Sequence, residues 1–348
     1  MDLEADILVV GGGLAGIAAG TVAAENGLET IVARKGLGAT EYSSGAIDIL
    51  GYLPESFIPF SSSIEGLQFL PELYPLHPYA VLGANKEDTE EASAHIAKLV
   101  RSCIDWLKRH LDGTSVSLVG SADANLSPIT VFGTTKPTGL VQETMSYGNL
   151  YEEANNVLLF VGFTGHPEFN PSVAAKTFLE RQMKRNEPPK KVGHCVIDVL
   201  PYGKPYNLTS IDIARHLDHS GSLSQITQLL KPKIEQIGAT HLALPPVMGL
   251  EKAKENIKQI ESELGVECFE LLSMPPSIPG IRFQRALDRM LVASGGRLLI
   301  GYEATGAKVV ENRIQSVTLQ SFQRQIEVST RSVVLATGKF IGGGIAGD

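Results

Sequence analysis

The chain predicts an α/β fold built on parallel strands, and three observations predict it. Residues 7–10 are Ile-Leu-Val-Val, a continuous apolar run of the kind shown by a strand buried on both faces. Glycines at Gly11, Gly13 and Gly16 follow at once and open into a small-residue segment. Near the other end, Ser332–Gly338 is a second apolar run that stops in Ala-Thr-Gly. Between them, runs of strand length alternate with periodic runs of helix length.

Each element has its own warrant. Gly11 permits a tight turn, Gly13 lets a pyrophosphate approach the backbone, and Gly16 lets the next helix pack close to the strand. That helix, about Leu14–Asn26, ends at Gly27, and a second strand follows at Glu29–Ala33. The unpaired first N–H groups of the helix point at phosphates. Strand, turn, helix and strand together form a Rossmann-like nucleotide-binding unit, and a flavin is the expected cofactor. One expected residue is missing. An acid near residue 34 normally binds the ribose hydroxyls, and Arg34 stands in its place. Either Arg34 and Lys35 accept a 2′-phosphate, as in NADP sites, or the adenosine half is held differently or is absent, which suits a mononucleotide flavin.

The loop Leu37–Asp48 is dominated by small and hydroxyl residues and suits a flavin ring or phosphate; Ser43, Ser44 and Gly45 are its candidates. Residues 51–84 are proline-rich and expected to be irregular, ending in His77-Pro78-Tyr79. A helix is expected over 87–110, short strands and turns over 115–155, a buried strand at 157–161, a helix at 172–185 and a strand at 192–199. This second βαβ-like unit lacks the three-glycine spacing and is expected to be scaffold. Thr209–Asp212 caps a helix that carries Arg215 and His216. Helices at 222–236 and 250–264 alternate with strands at 241–244 and 267–271.

The proline-rich turn 274–280 precedes a helix at 281–294 with Arg282 in its first turn. A cation gains nothing from the helix dipole there, so Arg282 is a candidate for holding an anionic ligand. Short strands at 297–301, 307–310, 313–319 and 325–330 form an antiparallel meander. It leads into the Ala336-Thr337-Gly338 strand, the return strand of two-dinucleotide-binding-domain flavoproteins, whose small residues pass close to the cofactor. The expected organisation is a flavin-binding domain, 1–75 plus 295–348, with an inserted α/β domain, 76–294.

Composition excludes several classes. Of 348 residues, 43% are hydrophobic and 20% charged, as in an ordinary globular enzyme. A net charge of −8 argues against nucleic acid as a partner. Cys103, Cys195 and Cys268 are odd in number and far apart, so neither a metal cluster nor a disulfide framework is implied, and a reducing cytoplasm is expected. No apolar run reaches the roughly 18 residues of a membrane span. The acidic N-terminus is unlike a signal peptide.

Several segments, taken together, resemble the B-subunit family of the anaerobic glycerol-3-phosphate dehydrogenase. They are Val9–Gly16, Ser43–Leu50, His77–Gly83, Ile213–Asp218, Leu272–Arg282 and Leu335–Phe340. They span nearly the whole chain in the family's order. That family also carries a basic residue near Arg34, which weakens the NADP reading. Its members continue past the Ala-Thr-Gly strand, so an end at Asp348 suggests a truncated chain. The resemblance implies flavin-dependent, quinone-linked oxidation of sn-glycerol 3-phosphate to dihydroxyacetone phosphate, with FMN as cofactor and FAD the alternative. Its implied partners are the flavoprotein (A) and iron–sulfur (C) subunits of the same complex, with contact to the inner face of the membrane through a partner only. Without a cysteine cluster of its own, the chain must pass its electrons through another protein. The expected chemistry is hydride transfer from substrate C2 to flavin N5. Arg282 and Arg215 are candidates for the substrate phosphate, and His216 and His77 for the base. The alternatives are a non-catalytic protein for electron transfer or docking, or another FAD- or NADP-dependent oxidoreductase of this fold.

Overall fold

A computed structural model describes residues 2–83, 89–149, 156–184, 191–199, 201, 203, 207–219 and 221–338. Lys339 and Phe340, Arg185 at the end of one expected helix, and residues 87–88 at the start of another lie outside the described residues. In chain order the elements begin with β1 (Asp2–Val10), α1 (Leu14–Glu25), β2 (Thr30–Arg34), α2 (Ser63–Leu73), α3 (Pro78–Gly83) and α4 (Thr89–Leu111). Next come β3 (Leu118–Gly120), β4 (Leu140–Gln142), a 3-10 turn at Glu143–Gly148, β5 (Val157–Phe163), α5 (Pro171–Lys184), β6 (Lys191–Ile197), α6 (Ser210–Leu217) and α7 (Ser222–Ile237). The chain continues through β7 (His241–Leu244), α8 (Ala253–Leu264), β8 (Glu267–Glu270), α9 (Ile278–Ala293) and β9 (Arg297–Ile300), then β10 (Glu303–Val310), β11 (Arg313–Gln320) and β12 (Gln325–Leu335). These fall into two compact units, residues 1–42 with 280–348, and residues 43–279.

The first unit is a six-stranded sheet in the order β10-β11-β12-β1-β2-β9. β1 runs parallel to both its neighbours, with Val10 opposite Ala33 on one side and Leu335 on the other. Within its apolar run Leu8 and Val9 are fully buried and Ile7 and Val10 partly so, between two parallel neighbours. The meander β10-β11-β12 is antiparallel, and Glu311 and Asn312 turn its first hairpin with φ of 49° and 63°. Leu8, Ile31, Val317, Leu319 and Val328 form the core of this unit. α1 lies close on the sheet at Gly20, where an added Cβ would sit 2.5 Å from Val32 and 3.1 Å from Leu291 of α9.

Two expectations for this unit are corrected. β9 is not the first strand of the meander; it pairs parallel with β2, Arg34 opposite Ile300, because helix α9 returns the chain to the same end of the sheet. Residues 325–335 are one strand and not two. Its polar interruption is absorbed locally: Thr330 Oγ1 donates to the carbonyls of Asp6 and Ser332, and Arg331 reaches the Asp6 carboxylate at 2.7 Å.

The second unit contains a four-stranded parallel sheet, β6-β5-β7-β8, with α5, α7 and α8 supplying the connections. Phe160, Phe178 and Phe269 anchor its core, the first two with ring centroids 6.0 Å apart. A short antiparallel pair, β3-β4, and a helical cluster of α2, α3 and α4 complete it. The stretch expected to be irregular therefore holds two helices. Ser62 caps α2 by accepting from the Glu65 N–H, and Leu67 and Leu70 pack against Ile96 of α4. Tertiary burial outweighs the proline content. The unit boundaries also differ from the expected 75/76 and 294/295. Ile47 bridges to Leu140 in the second unit, whereas α9 packs on the first. No helix among the described residues is long and apolar enough to cross a membrane, and no group of three or more His, Cys, Asp or Glu among them could hold a metal.

Candidate cofactor site

The turn between β1 and α1 is shaped by what a side chain would strike. Gly11 has φ of 112°, and a Cβ there would run into the Ala336 carbonyl. A Cβ at Gly16 would run into the Gly11 carbonyl. Gly13 is open: its Cβ would meet only Thr40 Oγ1, at 3.4 Å. Gly13 is also the N-cap of α1 and brings no side-chain oxygen onto the first turn. Thr40 Oγ1 accepts from the Leu14 N–H at 3.1 Å. The return strand comes within reach because Ala336 is small, its N–H donating to the Val10 carbonyl at 2.8 Å. Thr337 follows, and Gly338 closes the described chain at φ of 84°. A glycine cradle at the N-terminus of α1, open at Gly13, fits a phosphate-bearing nucleotide.

Arg34 sits beside this turn with its charge engaged. Nη1 and Nη2 form a two-pronged pair with the Asp288 carboxylate on α9, at 2.8 and 2.7 Å. Lys35 is exposed and pairs with Glu303 at 2.8 Å. The cation pair read from the sequence is thus divided between two carboxylates of the same unit. Glu41, buried among Arg34, Asp288 and Arg285, has its pKa raised by burial and partly restored by Arg34.

The other candidates are placed as follows. Ser43, Ser44 and Gly45 open the second unit. Gly45 has φ of 89°, and its carbonyl accepts from Gln142 Nε2 at 3.3 Å, which also donates to the Pro279 carbonyl at 2.9 Å. The Ser44 carbonyl accepts from the Ser273 N–H. Arg282 is 1% exposed. It lies in the second turn of α9 and not the first, because the helix begins at Ile278 and admits Pro279 at its second position, where no N–H is needed. His77 uses Nδ1 to accept from the Tyr79 N–H at 3.2 Å, so that nitrogen caps α3. Arg215 and His216 are consecutive on α6, Arg215 exposed and His216 half-buried. Burial, and then His219, lower the His216 pKa, which keeps its imidazole neutral at pH 7. Just beyond them, Asp218 takes the N–H groups of Leu250, Glu251 and Lys252, a structural task.

Sequence reasoning missed Thr40, Gln142, Gln284 and Asp288. Thr40 lies inside the small-residue loop and carries no signal of its own. Gln284 and Asp288, spaced i, i+4 on one helix, carry a polar pair that amphipathic periodicity alone assigns to solvent. The three cysteines are free; burial pushes the Cys195 thiol up to about 11 and raises that of Cys268 as well.

Comparison with known proteins bears on this site. A protein of Vibrio cholerae, named as the B subunit of anaerobic glycerol-3-phosphate dehydrogenase, is 28% identical over 98% of this chain and 74% of its own length. One of the same name from Pasteurella multocida is 26% identical over 99% of this chain and 76% of its own. Among solved structures, the 3-ketosteroid Δ1-dehydrogenase of Sterolibacterium denitrificans aligns with 97% of this chain and 48% of its own length, at 14% identity and a TM-score of 0.41. The family model described as FAD binding domain matches residues 6–346. That match runs from the first strand through both units to the return strand, and the chain belongs to the FAD-binding domain family, with a flavin as its cofactor.

Proposed function

We propose that this chain is the flavin-bearing B subunit of a quinone-linked glycerol-3-phosphate dehydrogenase. It oxidises sn-glycerol 3-phosphate to dihydroxyacetone phosphate. Electrons leave through the flavoprotein (A) and iron–sulfur (C) subunits of the complex, which hold the chain at the inner face of the membrane. The observation that carries this reading is similarity to proteins of that name over 98% of the chain, in a fold whose cradle is open at Gly13. FMN is the favoured flavin, because the position that normally offers an acid to an adenosine ribose holds Arg34, bound to Asp288. When bound, the flavin supplies the two-electron acceptor.

Arg282 of the first unit and Arg215 of the second are each a candidate for the substrate phosphate, for which a guanidinium gives paired hydrogen bonds. His216 is the favoured base, because its lowered pKa leaves it neutral and able to take the hydroxyl proton. His77 is less favoured, since its Nδ1 already accepts the Tyr79 N–H.

A second reading, a docking or electron-transfer role without substrate chemistry, is favoured by exposed apolar side chains in the α2–α3 region. Phe57 is 95%, Leu76 90% and Ile58 80% exposed. The test is the visible spectrum of the purified chain, with bands expected at about 375 and about 450 nm for an oxidised flavin, then chromatography of the released cofactor. Bleaching by glycerol 3-phosphate supports the dehydrogenase. A coloured protein that glycerol 3-phosphate reduces only when the flavoprotein partner is added favours the second reading.

A further inference from the structure

We propose that Arg34, Asp288 and Gln284 are positioning residues for the phosphate-binding turn. They lock the peptide between Gly12 and Gly13 in one orientation, and Arg34 does not read an anionic group of the cofactor. The proposal rests on the flavin site and is independent of the substrate.

The geometry is a closed network within the first unit. Asp288 Oδ1 accepts from Arg34 Nη1 at 2.8 Å and from Gln284 Nε2 at 2.8 Å, while Oδ2 accepts from Arg34 Nη2 at 2.7 Å. Gln284 Nε2 also donates to the Gly12 carbonyl at 2.8 Å, and Arg34 Nη1 approaches the same oxygen at 3.5 Å. Gln284 is 1% exposed, and the Arg34 and Asp288 side chains are 11% and 19% exposed. The Arg34 stem lies across Gly12, with Cδ 2.8 Å from where a Cβ would stand.

The consequence follows from peptide planarity. In a trans peptide the C=O of residue 12 and the N–H of residue 13 point in opposite directions. Holding the Gly12 oxygen toward α9 therefore turns the Gly13 N–H away from α9. Two adjacent glycines carry no steric barrier to rotating that peptide plane, so an unclamped turn would populate both orientations. The clamp removes one of them before the cofactor arrives, which is preorganisation. It also answers the absence of an acid at the end of β2. The site keeps a carboxylate, but delivers it from α9 and uses it to neutralise Arg34, so a 2′-phosphate would find no uncommitted charge on that side chain.

The test uses the full chain and three variants, Gln284→Leu, Asp288→Asn and Arg34→Met. Amide hydrogen exchange across Gly11–Leu14 is followed in flavin-free protein. FMN and FAD affinities come from fluorescence titration, and 2′,5′-ADP is compared with 5′-ADP as a competitor. Gln284→Leu and Asp288→Asn are expected to speed exchange in the turn and to weaken flavin binding about tenfold or more. Exchange in β5 and α5 should stay at wild-type rates, and the wild type should show no preference for the 2′-phosphate. Unchanged exchange in the turn overturns the clamp, as does faster exchange throughout the molecule. A 2′,5′-ADP preference that Arg34→Met abolishes overturns the assignment of Arg34. If Asp288→Asn fails to fold, Gln284→Leu alone carries the test. Glycerol 3-phosphate enters none of these readouts, so a failure here is separable from a failure of the proposed activity.

Discussion

Two of the strand–turn–helix units among the described residues, β1–α1 and β5–α5, treat their helix N-termini in opposite ways. β5 is a buried apolar strand, and β1 ends in an apolar run whose Leu8 and Val9 are buried. After β1 the chain turns on Gly11 and Gly13; Gly13, the N-cap of α1, brings no side chain of its own and stays open. After β5 the chain runs through Thr164-Gly165-His166, and Asn170 Oδ1 accepts from the N–H groups of Ser172 and Val173 at 3.1 and 3.2 Å. The second helix is capped by its own N-terminal asparagine, whereas the only side-chain oxygen described on the first turn of α1 is Thr40 Oγ1, which takes the Leu14 N–H. One architecture thus leaves Gly13 open in one unit and caps its helix with Asn170 in the other, a difference of glycine spacing and one capping asparagine.

The sharpest way to break this contrast is Gly16→Ala. Alanine is the better helix former, so local propensity predicts a gain of up to about 1 kcal/mol. Collision of the new Cβ with the Gly11 carbonyl predicts a loss of about 3 kcal/mol or more, with failure to retain flavin. Thermal melting and flavin content of the purified variant decide, and a stabilised, coloured variant would remove the steric argument. Next in size, Asn170→Ala uncaps α5 and should cost about 1 kcal/mol in denaturant unfolding without changing flavin affinity. A loss of flavin would mean that the second unit's turn contributes to the site.

The smallest effects are in pH dependence, and the two units are expected to slope in opposite directions. In the second unit His166 is 5% exposed and hydrogen-bonded through Nε2 to Ser210, which in turn donates to Glu168. Burial lowers its pKa below 6.5 against the pull of Glu168. The unfolded chain therefore binds this proton first. Stability is full above 6.5 and falls as pH drops toward the lowered value, and His166→Gln should flatten that slope. In the first unit burial raises the pKa of Glu41 above 4.5. The unfolded carboxyl ionises first, so stability is greatest below 4.5 and declines as pH rises through the raised value. Glu41→Gln should melt higher than wild type at about pH 8 and alike at about pH 4. Melting curves across that range check both; parallel slopes for the two variants would refute the assignment.

Much of the fold was legible because its signals are local. The Ile-Leu-Val-Val run, the glycine turn and the Ala-Thr-Gly strand each declare a backbone requirement in consecutive residues, and the strands at 157–163, 241–244 and 267–270 follow from short segments of strand length. Where local signals mislead, burial decides. Pro71 argued against helix, yet α2 forms because Leu67 and Leu70 find Ile96, and Tyr79 of α3 packs on the same cluster. The direction of β9 was hidden as well, because a four-residue strand has no intrinsic sense until α9 returns the chain beside β2.

The candidate site divides along the same line. By itself the sequence determined where the glycine turn between β1 and α1 lies and that Arg34 stands where an acid is expected. Only the tertiary structure decided what Arg34 does instead. Its partner Asp288 is 254 residues away, on a helix whose i, i+4 polar pair looks solvent-facing in sequence. Backbone conformational demands are written in adjacent residues. The partner of a charged side chain is chosen by packing, which brings distant segments together and hides them from solvent.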